Sequence, residues 1–123
     1  MLSDFDAIPT IAVKDLKKAR QFYEEKLGLE PLDSEGTEVL VFRSGENTLL
    51  VYHSEFAGTN KATAVTWTVE DVAEVVKRLK AKGVTFEHYD MPGMTLEGDI
   101  HRGADMEIAW FKDPDGNILS VVN

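Results

Sequence analysis

Chemistry in this chain has few places to reside. There are three histidines, His53, His88 and His101, and no two of them share an i, i+2 or i, i+4 spacing that would aim two imidazoles at one ion. There is no cysteine, which removes disulfides, thiolate metal sites and a thiol nucleophile. Ser3, Ser34, Ser44, Ser54 and Ser120 lie in no Gly-x-Ser-x-Gly elbow, and no glycine-rich phosphate loop is present. The acidic run Asp113-Pro114-Asp115-Gly116 has the residue order of a type I β-turn, which accounts for it without catalysis. His101 stands out modestly, because it falls in a long stretch, Asp90 to Ala104, punctuated by Pro92, Gly93, Gly98 and Gly103. Long connections of this kind inside small domains often carry function.

The elements that must position these residues come in two similar copies. Val13-Lys14-Asp15-Leu16 leads through Phe22 and Lys26 to Gly28-Leu29, and Val69-Glu70-Asp71-Val72 leads through Val76 and Lys82 to Gly83-Val84. The copies lie about half a chain length apart, so two like modules are expected with a binding site between them. In each, the Asp is placed to cap a helix and the Gly to end it. Leu16, Ala19, Phe22, Tyr23 and Leu27 follow helical spacing, as do Val72, Val75, Val76 and Leu79.

Strands are expected at 8–13, 38–42 and 48–52, with a weaker one near 30–33. The second and third form a hairpin around a five-residue loop, Arg43 to Asn47. Module one then occupies about 5–54 and a polar linker about 54–63. Module two, about 64–123, repeats the order with strands at 64–69, 84–89, 107–112 and 118–122. The pattern is βαβββ twice, an α+β fold within a single domain.

Composition excludes several partners. With 43% apolar and 28% charged residues the 123-residue chain has ordinary globular composition. A net charge of −9 argues against nucleic acid, whose phosphates this surface would repel. No apolar run approaches the roughly 18 residues of a membrane span, and the acidic start Met1-Leu2-Ser3-Asp4 lacks the features of a signal peptide. A soluble cytoplasmic protein is expected.

The run Val13-Lys14-Asp15-Leu16…Phe22-Tyr23…Leu27-Gly28-Leu29 and the ending Trp110-Phe111-Lys112-Asp113-Pro114-Asp115-Gly116-Asn117-Ile118 resemble the vicinal oxygen chelate superfamily. That group includes glyoxalase I, extradiol dioxygenases, and fosfomycin- and bleomycin-resistance proteins. The resemblance spans the chain and implies paired modules curled into a cup-shaped mixed sheet, with helices on its outer face. It also implies four cup-facing positions for His, Glu or Gln ligands to a divalent metal. Here these are Ile8, Leu50, Ala64 and Ser120. Three apolar side chains and a hydroxyl cannot hold such an ion, and neighbours one residue away are equally inert. No metal and no cofactor is expected.

Alternation along the strands from those four positions then gives the expected cup lining. Thr10, Phe42, Leu50, Tyr52, Thr66, Glu107, Phe111 and Ser120 should face inward, with Trp67 and Trp110 toward the helices. A bulge in the last hairpin would exchange Trp110 for Phe111. The resemblance favours a homodimer that binds a small organic molecule, cationic or aromatic, without metal, as the bleomycin-resistance branch does. The competing enzyme reading is a metal-independent lyase, isomerase or hydrolase with Glu107, His101 or Tyr52 in acid–base roles.

Overall fold

A computed structural model describes residues 1–32 and 38–123. Module one runs β1 (Thr10–Val13), α1 (Leu16–Arg20), β2 (Glu30–Leu32), β3 (Val39–Ser44) and β4 (Asn47–His53), giving a sheet of order β1-β4-β3-β2. Module two runs β5 (Thr63–Thr68), α2 (Val72–Ala81), β6 (Phe86–Glu87), β7 (Thr95–Glu97), β8 (Ile100–Gly103), β9 (Met106–Lys112) and β10 (Ile118–Val122). Its sheet has order β5-β10-β9-β8-β7, with β6 also on β9. In each module the first and last strands pair in parallel and the rest are antiparallel. The repeat seen in the residues is thus a repeat of topology, and the fold is α+β with two mixed sheets.

The helix caps behave as their residues dictate. Asp15 accepts from the Lys18 N–H and Asp71 from the Glu74 N–H, both at 3.1 Å. Gly28 and Gly83 follow the two helices with φ of 73° and 89°, the left-handed geometry that stops a helix. The first helix departs from expectation, because after Arg20 it widens into a π-helical turn over Gln21–Lys26. There the Leu27 N–H reaches the Phe22 carbonyl at 3.0 Å. The wider turn lets the adjacent Phe22 and Tyr23 both bury, which a 3.6-residue period does not favour.

The helix-side faces of both sheets feed one core. Ile11, Val13, Phe42, Leu49 and Val51 from module one join Ala109, Phe111, Leu119 and Val121 from module two, with Phe22 and Tyr23 between them. The linker is fixed at Gly58 (φ 74°), where a Cβ would stand 2.0 Å from the Asp115 carbonyl oxygen. Among the described residues no helix is long and apolar enough to cross a membrane.

Three expectations need correction. The first hairpin closes on Gly45-Glu46 alone, since Ser44 pairs with Asn47, so its loop has two residues between strands rather than five. The last hairpin pairs Lys112 with Ile118, one residue from the Lys112–Asn117 pairing across the turn on which the inward Phe111 rested. Each change slips register by one residue, which turns every side chain of a strand to the other face. The third concerns 90–104, which is not one loop: it contains the β7–β8 hairpin, and His101 sits on β8.

Candidate functional site

The face of each sheet away from the helices follows from register and alternation. On module one it carries Thr10 and Ala12 of β1, Leu50 and Tyr52 of β4, and Val39 and Val41 of β3, since Thr10 pairs with Leu50, Ala12 with Tyr52 and Val41 with Leu50. On module two it carries Thr66 of β5, Ser120 of β10, and Trp110 and Ile108 of β9, with His101 of β8 opposite Ile108. Thr10, Leu50, Tyr52, Thr66 and Ser120 therefore face the way alternation expects. Phe42 and Phe111 do not. Phe42 pairs with Leu49 and packs on Tyr23 in the core, and Phe111 lies among Phe22, Trp67 and Phe86. The two register slips are the cause.

Glu107 shares the face of Ala109 and Phe111 as expected, but that is the helix side of β9. Its carboxylate meets the Arg102 guanidinium at 3.0 Å, and Arg102 also meets Glu97 at 2.8 Å. It is thus held in a three-residue ion network on the opposite side of the sheet from Thr66 and Ser120. Phe42, Phe111 and Glu107, expected to share one cavity with Tyr52 and Thr66, lie on the opposite face of the sheets from them. The slot given to Phe111 belongs to Trp110.

Trp110 organises the module-two face. Its indole N–H donates to the Thr63 hydroxyl at 3.1 Å. Tyr89 and His101 both stand edge-on to its ring, at centroid distances of 5.3 and 4.8 Å. Beside it, Ser120 is fully buried and its hydroxyl shares a 2.8 Å hydrogen bond with Thr66. Glu87, opposite Trp110 in the ladder, pairs with Lys112 at 3.1 Å. Leu96 and Met106 extend the same face and remain exposed.

His101 is buried, and both the N–H and the carbonyl of Tyr89 point at its Nε2, at 3.0 and 3.1 Å. An orphaned buried N–H is rarer than an under-satisfied carbonyl, so Nε2 is assigned as acceptor and the ring proton placed on Nδ1. Among the described residues, that Nδ1 and the Tyr89 hydroxyl are buried without a hydrogen-bond partner. Tyr89 was not readable as a site residue, since only alternation with Glu87 and contact with Trp110 bring it here. His88, edge-on to His101 at a centroid distance of 6.3 Å, donates its Nε2–H to the Asp99 carboxylate at 2.7 Å, and Lys80 donates to the other carboxylate oxygen at 2.7 Å. These two partners hold the Asp99 carboxyl below the ordinary carboxylate range.

The positions that the resemblance assigns to metal ligands do not suit an ion. Ile8 precedes β1 and is half exposed, Leu50 and Ala64 carry no donor, and the Ser120 hydroxyl is engaged with Thr66. Among the described residues no three His, Cys, Asp or Glu side chains gather as a ligand set.

Comparison with known proteins agrees with this architecture. A profile of the Glyoxalase/Bleomycin resistance protein/Dioxygenase superfamily matches residues 7–121, and the chain belongs to that superfamily. It is 28% identical over 132 residues to the uncharacterized protein YurT of Bacillus subtilis (strain 168), covering 94% of this chain and 95% of that one. Among solved structures, a glyoxalase family protein from Enterococcus faecalis superposes with a TM-score of 0.76 at 21% identity, covering both chains fully. A lactoylglutathione lyase from Agrobacterium tumefaciens gives 0.70 at 19%, over 96% of this chain and 92% of that chain. The fosfomycin resistance protein FosX from Listeria monocytogenes gives 0.71 at 17%, over 96% and 91%. At these identities the structural likeness speaks to fold alone.

Proposed function

We propose that this chain is a metal-independent member of its superfamily that binds a small organic molecule, acting as a homodimer. The observation that carries the reading is chemical. Ile8, Leu50, Ala64 and Ser120 stand at the positions the resemblance gives to metal donors, and the single hydroxyl among them is already bonded to Thr66. In place of donors, the module-two face is organised around the indole of Trp110, itself 7% exposed, with hydroxyls and aliphatic side chains beside it. Such a mixture suits an organic ligand with an apolar or aromatic body and one or two polar atoms.

An aromatic ligand fits this face better than a cationic one. Glu107, the expected counter-charge, is ion-paired on the other side of β9, and Glu87 is paired with Lys112. The dimer is supported by what each chain leaves uncovered. Leu32 and Tyr52 on the module-one face are 37% exposed, and Leu96 and Met106 on the module-two face are 43% and 51% exposed. A partner chain laid over these faces would enclose the ligand and cover apolar surface.

A second reading, acid–base chemistry without metal, rests on His101. Its proton-bearing Nδ1 is buried beside Trp110 and has no partner among the described residues, which is how a proton donor awaiting a substrate oxygen would be held. A thermal-shift screen of aromatic acids, aromatic amines and 2-oxoaldehyde adducts in chelator separates the two. Stabilisation without turnover, weakened in Trp110→Ala, supports the binding module. Turnover abolished by His101→Ala supports the enzyme, and stabilisation that appears only with added divalent metal would overturn both.

A further inference from the structure

On the opposite side of the sheets, where the two helices approach each other, two cavities share a wall. One is a groove of about 200 Å³ between the π-helical turn and α2, edged by Lys26, Arg78 and Lys82. The other, about 230 Å³, lies against the sheets and is lined by Leu29, Trp67, Val69 and Phe111. Leu27, Val75 and Leu79 line both. Lys26, the last residue of the π-helical turn, and Leu27, which caps it, face α2 across the groove.

The charge of the groove is opposite to that of the protein. The chain has 22 Asp and Glu against 13 Lys and Arg, yet three cations rim one small groove. Among the described residues none of the three has a carboxylate within ion-pair distance, whereas Lys80 and Lys112 each have one and Arg102 has two. Lys82 is oriented, its Nζ donating to the Glu25 carbonyl at 3.2 Å, and Lys26 reaches over the end of α2 beside Gly83. The inner cavity, by contrast, has almost no polarity to offer. Its serine, Ser44, already accepts the Trp67 indole N–H at 2.8 Å. A cationic rim above an apolar pocket matches a molecule with one anionic end and an apolar body.

We propose that this interhelical groove is a second binding site, distinct from the Trp110 face, for a small organic monoanion of the alkyl or arylalkyl carboxylate class. The carboxylate sits among Lys26, Arg78 and Lys82. The tail passes between Leu27 and Val75, both half-buried, and lies against the ring of Trp67.

Calorimetric titration of the wild-type chain with octanoate, using octanol as the uncharged control, tests the proposal. Octanoate should saturate one site per chain, bind about tenfold more tightly than octanol, and weaken as salt rises. The pair Lys26→Gln with Arg78→Gln should weaken octanoate by about tenfold and leave octanol unchanged. Val75→Phe should fill the passage and abolish binding of both, and Trp110→Phe should affect neither. Equal binding of octanoate and octanol, or no saturable heat, would overturn the proposal. So would a Gln pair that lowers the melting temperature with affinity unchanged, since the cations would then serve only the C-terminal dipole of α2. Loss of binding in Trp110→Phe would move the ligand to the other face and refute a second site. Should the Gln pair fail to fold, the octanol and salt comparisons on wild type still decide.

Discussion

The Tyr23 hydroxyl donates to the Asp113 carboxylate at 2.8 Å, joining the helix of module one to the last turn of module two through two buried side chains. Asp113 also takes the Asp115 and Asn117 N–H groups and the Asn117 side-chain amide, which in turn donates to the Ala12 carbonyl on β1. The Asp-Pro-Asp-Gly run is a turn, as its residues imply, with the Gly116 N–H on the Asp113 carbonyl at 3.0 Å. It is also the polar joint between the modules.

Tyr23→Phe should cost about 1–3 kcal/mol, because it strips a donor from a buried carboxylate. Burial pushes the Asp113 carboxyl above the ordinary carboxylate range, against the opposing pull of its hydrogen bonds to Asn117, Tyr23 and Asp115. A raised folded pKa means that the native state holds its proton longer than the unfolded chain. The Asp113 contribution is therefore complete below about pH 4 and declines as pH rises through the folded value. The Tyr23→Phe penalty should grow over the same interval, since the lost donor served the ionised form. Urea unfolding at several pH values measures this, and a penalty that is independent of pH would contradict it.

Asp99 should behave with the opposite sign. Lys80 and His88 depress its carboxyl, so its contribution is present above about pH 4 and is lost as pH falls through the lower folded value. Asp99→Asn should flatten the acid limb of the melting-temperature profile while lowering stability at neutral pH. An unchanged acid limb would show that the Lys80–Asp99–His88 group is not coupled to folding.

Phe111→Ala should cost about 3–5 kcal/mol, as the loss of a fully buried aromatic does. Trp110→Phe should cost about 1–3 kcal/mol, since it removes the bond to Thr63 and part of a buried ring packed by Tyr89 and His101. A Phe111→Ala cost under about 1 kcal/mol in denaturant unfolding would contradict the burial of Phe111 in the core.

Those two residues also mark where the sequence stops being legible. The repeat, both Asp caps, both terminating glycines and the helix-facing Trp67 follow from local chemistry, and each appears where its residues put it. Orientation on β3 and β9 depends instead on how many residues a turn consumes. Arg43 to Asn47 looks like a five-residue loop, but Ser44 and Asn47 can still pair, so Gly45-Glu46 suffices. At the other turn the Asp113 carboxylate captures the Asn117 N–H and draws Asn117 out of the ladder. One residue in each case exchanged Phe42 and Phe111 for their neighbours. Tyr89 and the π-helical turn had no local signature, because tertiary burial of Phe22 and Tyr23 and contact with Trp110 decide them.

The proposed homodimer should be sensitive to charge on its uncovered faces. Tyr52→Glu or Met106→Glu should shift light scattering from dimer toward monomer, because each places an unpaired carboxylate on apolar surface that association would bury. A wild-type chain that scatters as a monomer at micromolar concentration would contradict the dimer.

The central claim is that a fold resembling a metal-chelating cup operates here on organic contacts alone, and elemental analysis of the purified chain tests it most directly. With Ile8, Leu50, Ala64 and Ser120 at the donor positions, nickel, zinc, iron and manganese should each fall far below one ion per chain. One such ion per chain, retained through gel filtration, would contradict the account.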